Sequence, residues 1–227
     1  MKIGILQTGH APDALRDDLG DYEHLFQRLL DGHDFEFETW IVVDMDFPAA
    51  IDLCEGWLIT GSKHGAYEDH PFIPPLEAMI RYIYAADIPL VGVCFGHQII
   101  AQALGGKVEK FGGGWAVGRQ TYDWEGETIA LNAWHQDQVV ERPAAARIVA
   151  TNGFCDNAAL IYGQKAFTVQ PHPEFGADFV AGLARHRGPG IVPQNQLDEV
   201  AANLNEPVAN ERLAAQIASF FKSRSIS

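Results

Sequence analysis

Two short stretches of this chain carry residues whose types and spacing suit nucleophilic chemistry. They are Gly92-Val93-Cys94-Phe95-Gly96 and Gln170-Pro171-His172-Pro173-Glu174. Cys94 stands between an apolar run, residues 90–93, and a segment, 95–104, with apolar residues at helical spacing that stops at Gly105-Gly106. A chain that turns sharply from strand to helix strains its corner residue. It also brings neighbouring backbones too close for side chains, which glycine on either flank relieves. This is the pattern of a nucleophile elbow, with cysteine where G-x-S-x-G hydrolases carry serine. A thiol above the first turn of a helix meets unpaired N–H groups and the positive dipole end, and both favour thiolate. A cysteine ending an apolar strand is otherwise an ordinary buried hydrophobe. The two glycines decide against that reading.

A thiol nucleophile needs a base. His172 follows a short apolar strand and precedes a helix, and catalytic groups of α/β sheets gather where strands end. Glu174, two residues on, suits the acceptor that fixes the imidazole tautomer. Alone, the same residues read as a strand end between prolines and a helix cap. Acyl transfer also needs donors for a developing oxyanion. The N–H of Phe95, at the helix start, is one candidate. The other is a backbone N–H of Gly61 or Ser62, in the loop beyond a further strand, for which an ordinary glycine-containing loop is the alternative.

The elements that must hold these residues alternate in the first half. Strands are expected at 2–6, 35–43, 56–60 and 90–93, with helices at 21–30, 75–86 and 95–104. Such βαβ units predict an α/β fold, a mostly parallel central sheet flanked by helices. Short strand-like runs follow at 107–111, 118–122, 128–131, 147–151, 159–162 and 166–169, read as a small antiparallel excursion from that sheet. Helices are expected over 175–186, 194–203 and 208–222. The sequence leaves open whether those after residue 188 cover the site or make a dimer contact. With no internal repeat or linker, residues 1–227 read as one domain, a catalytic core over about 1–180 and C-terminal helices over about 191–224.

Composition narrows the function. Of 227 residues, 47% are hydrophobic, enough for a sizeable core, and 16 Lys and Arg stand against 30 Asp and Glu, a net charge of −14. That charge repels phosphate backbones and anionic lipid, so neither nucleic acid nor membrane is expected as a partner. Three cysteines without a C-x-x-C fit a reducing cytoplasm, and Cys54 and Cys155, lacking an elbow, read as packing residues. No signal peptide is expected from the first residues, and no apolar run approaches the ~20 residues of a membrane span. The nine histidines include no H-E-x-x-H and none at close ligand spacing with a cysteine, so no metal site is expected.

Gly92-Val93-Cys94-Phe95-Gly96-His97-Gln98, followed by Ala103-Leu104-Gly105-Gly106-Lys107-Val108, resembles the nucleophile region of class I (triad-type) glutamine amidotransferases. Pro171-His172-Pro173-Glu174 resembles their P-H-P-E element. The likeness runs in order over about residues 1–180 and implies a flavodoxin-like fold. It implies that Cys94 attacks a γ-amide carbonyl, that His172 is base and acid, and that Glu174 orients it. Gln98 would help hold the glutamyl group. Thr60-Gly61-Ser62 with Ala66-Tyr67, Gly114-Trp115-Ala116-Val117-Gly118, and Trp134-His135-Gln136-Asp137-Gln138-Val139 resemble stand-alone GMP-synthase-like members, among which are γ-glutamyl peptidases.

In that family the last stretch lies near the glutamine site, which makes His135 and Asp137 substrate-binding candidates. A surface histidine and a turn-forming aspartate fit them equally when taken alone. The family's G-G-P oxyanion loop is here Gly61-Ser62-Lys63. Phe111 to Trp115, with its run of three glycines, is either a flexible pocket wall or a plain turn.

Hydrolysis of the γ-amide of glutamine or a γ-glutamyl compound, through a γ-glutamyl thioester, is therefore expected, with a small-molecule substrate and no cofactor. The same parts fit a glutaminase subunit feeding ammonia to a separate synthetase partner. A non-catalytic binding or regulatory relative would need none of Cys94, His172 and Glu174. The chain carries neither an S-G-G-x-D-S pyrophosphatase loop nor a G-x-x-x-x-G-K-[ST] loop, so GMP synthesis by it alone is not expected. The group on the γ-nitrogen and the oligomeric state are not encoded in these motifs.

Overall fold

A computed structural model describes residues 1–226, so that Ser227, the last residue of the expected domain, lies outside the described residues. Five parallel strands occupy one half of a nine-stranded sheet: β1 (Lys2–Leu6), β2 (Glu36–Trp40), β3 (Gly56–Ile59), β4 (Leu90–Val93) and β11 (Ala166–Val169). The antiparallel strands extend that same sheet, in the order β2-β1-β3-β4-β11-β10-β9-β6-β7. They are β6 (Ala116–Trp124), β7 (Glu127–His135), β9 (Arg147–Thr151) and β10 (Ala159–Tyr162). β5 (Lys107–Lys110) and β8 (Asp137–Glu141) form a separate two-stranded sheet.

Both faces of the sheet are covered, which is why its parallel strands read as unbroken apolar runs. On one face Ile3, Ile5, Leu58, Val91 and Val93 pack with Phe26 of α2 (Tyr22–Leu29) and Leu213, Ile217 and Phe220 of α7 (Asn210–Ser223). On the other, Leu6, Trp57, Ile59 and Leu90 meet Leu76, Ile80 and Ile83 of α3 (Ile73–Ala85) and Ile99 of α4 (Phe95–Ala103). A third cluster joins Leu15 of α1 (Asp13–Leu19), Phe179 and Leu183 of α5 (Ala177–His186), and Leu197 and Val200 of α6 (Gln194–Asn203). No helix among the described residues is long and apolar enough to cross a membrane.

The differences from the expected elements have local causes. The strand expected over 35–43 stops at Trp40 because Val42–Asp44 closes into a 3₁₀ turn. Asp21 caps α2 instead of opening it, its side chain accepting from the Tyr22 N–H at 2.9 Å. The runs at 118–122 and 128–131 lie within nine-residue strands, joined at Glu125-Gly126, where φ is 52° and 92°. Two such positive values make the tight hairpin turn whose twist matches its strands. The charged helix α1 and the strand β8, in 137–141, escaped the apolar patterns.

The strand–helix corner follows the two glycines. Cys94 sits at φ 52° and ψ −103°, a conformation that L residues rarely adopt. A Cβ on Gly92 would lie 2.5 Å from the Gly96 carbonyl, and one on Gly96 2.2 Å from the Ile59 carbonyl oxygen. The Gly96 N–H donates to the Thr60 carbonyl at 3.1 Å, and the Cys94 N–H to that of Val169 at 2.9 Å. Gly96→Ala is expected to lose about 2–3 kcal/mol of stability through this backbone clash. Alanine is otherwise favoured over glycine inside a helix by about 1 kcal/mol. A lower denaturation midpoint at unchanged slope would show the clash dominating, and a raised midpoint would refute the close approach.

Candidate active site

The carboxyl ends of β1, β3, β4 and β11 converge on one edge, and the expected residues meet there. β4 delivers Cys94 and β11 leads into Gln170 and His172. The register that pairs Val93 with Val169 and Gly92 with Ile59 brings Cys94, His172 and the loop after β3 side by side. His172 lies beside Cys94, whose sulfur helps raise its proton affinity, and its Nδ1 donates to Glu174 Oε1 at 2.6 Å. With Nδ1 so engaged, Nε2 is left to serve sulfur. All three residues are buried, and Cys94 is 6% exposed.

The His172 ring is fixed from three directions. Phe175 stacks on it, with centroids 3.9 Å apart and planes at 5°. Its backbone N–H donates to the Asn132 carbonyl at 2.8 Å. A Cβ on Gly61 would lie 3.1 Å from its Cε1 and 3.7 Å from the Cys94 Cβ. Gly61 therefore lies against the Cys94–His172 pair. Thr8 anchors the start of that loop, its hydroxyl donating to the Thr60 carbonyl at 2.9 Å. Ser62 lines the adjoining cavity. Phe95 is the first residue of α4, so its N–H has no acceptor within the helix and remains open at the corner.

The cavity holds about 300 Å³ beside Cys94 and His172. Gln98 lines it, with Nε2 donating to the Asp137 carbonyl at 2.9 Å and to Gln170 Oε1 at 3.0 Å. His135 and Asp137 line it too. His135 Nδ1 donates to the Asp137 carbonyl at 3.2 Å, and its buried Nε2 has no partner among the described residues. Burial pushes His135 down to about 3, with His172 adding to the effect, so it stays neutral. Burial raises the Asp137 carboxyl, against a hydrogen bond from Tyr67 and the charge of Lys110. The surface-histidine reading of His135 is thus excluded.

The rest of the wall is assembled from distant parts of the chain. Tyr22 and Phe175 form an aromatic side, with Trp115 and Trp134 beside them, and Arg187 and Ile191 come from the connection between α5 and α6. That connection covers the site, whereas α7 is built into the core. No spacing in the sequence ties Tyr67 to the chemistry, and only the fold pairs it with Asp137. Trp115 belongs to the cavity wall while Gly112 and Gly113 are exposed, so the glycine-rich stretch is a turn ending in a wall residue. Cys54 and Cys155 lie buried in the core, where burial pushes their thiols up to about 11 and about 12. His64, Glu68 and His70, outside any expected metal pattern, come together beyond β3.

Such an arrangement can carry an acyl group on sulfur and move protons through an imidazole, the chemistry of amide cleavage by a thiol. Residues 42–178 match the family model for Glutamine amidotransferase class-I, and the chain belongs to that family of enzymes. It is similar to gamma-glutamyl peptidase 4 of Arabidopsis thaliana, 29% identical over 222 residues that cover 90% of this chain and 88% of that protein. It is also similar to a subunit of the glutamine-hydrolyzing GMP synthase of Methanopyrus kandleri, 27% identical over 192 residues, 74% of this chain and 95% of that protein. The solved structure of a glutamine amido transferase from Methylobacillus flagellatus shares the fold, with TM-score 0.74 at 21% identity over 99% of this chain and 92% of that one.

Burial opposes charge on His172, but the carboxylate of Glu174, the sulfur of Cys94 and the hydrogen bond to Glu174 raise its proton affinity well above the ordinary value. A raised folded-state value stabilises the fold fully below the unfolded value of about 6.5, and that stabilisation fades as pH climbs through the raised value. Glu174→Gln is expected to lower the His172 midpoint, read from its imidazole Cε1–H resonance, and to shrink this low-pH stabilisation. An unmoved midpoint would show that Glu174 does not govern the ring.

Proposed function

We propose that the chain hydrolyses the γ-amide of glutamine or of a γ-glutamyl compound through a thioester on Cys94. The observation that carries this reading is the strained Cys94 corner set against the 2.6 Å His172–Glu174 pair. The Cys94 thiolate attacks the γ-carbonyl carbon, and the oxyanion forms between the N–H of Phe95 and that of Gly61 or Ser62. His172 gives its proton to the departing nitrogen as the C–N bond breaks, leaving a γ-glutamyl thioester and free ammonia or amine. Water then loses a proton to His172 and adds to the thioester. Collapse breaks the C–S bond and frees glutamate, with the proton returned to sulfur. Glu174 holds the imidazole tautomer and offsets its charge throughout. Every step uses protein groups and water.

Gln98, His135 and Asp137 form the glutamyl-binding wall in this reading. The tether from Gln98 to the Asp137 carbonyl orients the amide, and the unpaired His135 Nε2 offers an acceptor to the substrate. The whole chain works as one glutamine amidotransferase-like domain, its core over about 1–180. The burial of α7 against the sheet supports counting the C-terminal helices within it. A second reading rests on the likeness to the GMP synthase subunit, nearly all of which is matched: a glutaminase that passes ammonia to a separate synthetase.

Glutamate release from glutamine and from a panel of γ-glutamyl amides tests both. The stand-alone hydrolase is expected to turn over at least one member without a partner, and Cys94→Ala to lower kcat by about 10³-fold or more. Ammonia delivery predicts weak release by the chain alone. Full activity in Cys94→Ala would overturn the thioester mechanism.

A further inference from the structure

The loop between β3 and α3 holds a second group of chemically able side chains that γ-amide hydrolysis does not use. The ligand atoms of His64, Glu68 and His70 all lie within 4.8 Å of one another. His70 Nε2 is 2.8 Å from Glu68 Oε2, and His64 Nδ1 is 3.8 Å from the same oxygen. The two imidazoles lie close together, with centroids 4.0 Å apart and planes tilted by 57°. Both rings also pack on Phe72, each at 5.9 Å between centroids, and Phe72 itself is buried. All three side chains are partly open to solvent, and Glu68 also lines the cavity.

We propose that His64, Glu68 and His70 bind one divalent transition-metal ion of the zinc class. Two imidazoles and one carboxylate suit zinc or its borderline neighbours, whereas magnesium and calcium prefer oxygen alone. Bonds of about 2.0–2.1 Å in a tetrahedron place ligand atoms about 3.4 Å apart. The 2.8 Å and 3.8 Å separations fall on either side of that value, so small side-chain shifts complete the geometry. Three protein ligands leave the fourth position to water or to a group entering from the cavity.

The spacing, H-x-x-x-E-x-H, lies on an irregular loop, so the helical H-E-x-x-H pattern could not detect it. The same loop sets Gly61 against Cys94, lines the cavity with Ser62 and brings Tyr67 to Asp137. A bound ion thus cross-links the two ends of the segment that forms one wall of the cavity.

The test uses the full chain carrying Cys94→Ser, which removes the thiolate as a competing ligand and reads binding without turnover. Zinc titrated by calorimetry is expected to bind at one ion per chain with a micromolar or tighter Kd. Cobalt(II) is expected to give the visible absorption of a tetrahedral site. His64→Ala and His70→Ala should each weaken binding at least about tenfold, the lower end of what loss of a mere supporting residue costs. Glu68→Gln, which keeps side-chain size, should do likewise. Zinc should raise the Tm of the Cys94→Ser chain and leave that of the His64→Ala/His70→Ala double variant unmoved, with matching circular dichroism spectra. Absence of saturable binding to the Cys94→Ser chain, or undiminished binding in a folded double variant, would overturn the proposal. Because no step of the assay cleaves an amide, its outcome is independent of the hydrolase reading.

Discussion

The close approach of three backbones at the end of β4 is the constraint on which the site depends. Gly92 meets the backbone of Gly96, and Gly96 meets the carbonyl of Ile59. Only an absent side chain at both positions lets α4 start directly over the strand end. The chain must then reverse within one residue, and Cys94 takes the positive φ that this requires. Its sulfur is consequently placed by the packing of the sheet rather than by a flexible loop. The open N–H groups at the start of α4 come with the same turn.

Everything else in the site is positioned relative to that corner. Parallel pairing of β4 with β11 sets the distance to His172, and pairing with β3 sets the distance to Gly61. Phe175 and Asn132 then immobilise the imidazole, so its orientation does not rest on Glu174 alone. The buried His172–Glu174 pair is tolerable because the ring also serves Cys94, so a charge taken from water finds partners on both sides. The result is a fixed His172–Glu174 pair beside the Cys94 thiol, in a chain similar both to a gamma-glutamyl peptidase and to a GMP synthase subunit.

Much of this was legible in the sequence because each feature has a local cause. Glycines two residues either side of a cysteine announce a backbone contact, and 90–93 announces a strand buried on both faces. The placement of Gln98, His135 and Asp137 along one cavity was carried by motif likeness, not by periodicity. What escaped depends on distant residues. Tyr67 meets Asp137, at the start of β8, only through the tertiary fold, and Tyr22 and Arg187 reach the cavity from distant parts of the chain. The hairpin of the nine-residue strands β6 and β7 reads as shorter runs because Gly118 and polar residues interrupt its pattern. In the fold, Gly118 sits under Val200 of α6, where a Cβ would come within 2.6 Å of the valine.

Hydrolysis at this corner requires that Cys94 itself become acylated by a γ-glutamyl group. Intact-protein mass spectrometry after rapid acid quench of the chain with a γ-glutamyl amide tests that step most directly. The expected result is a transient mass increase of one γ-glutamyl group, mapped by proteolysis to the peptide holding Cys94 and absent from the Cys94→Ala variant. Glutamate release without any such adduct, or an adduct mapped to Cys54 or Cys155, would contradict it.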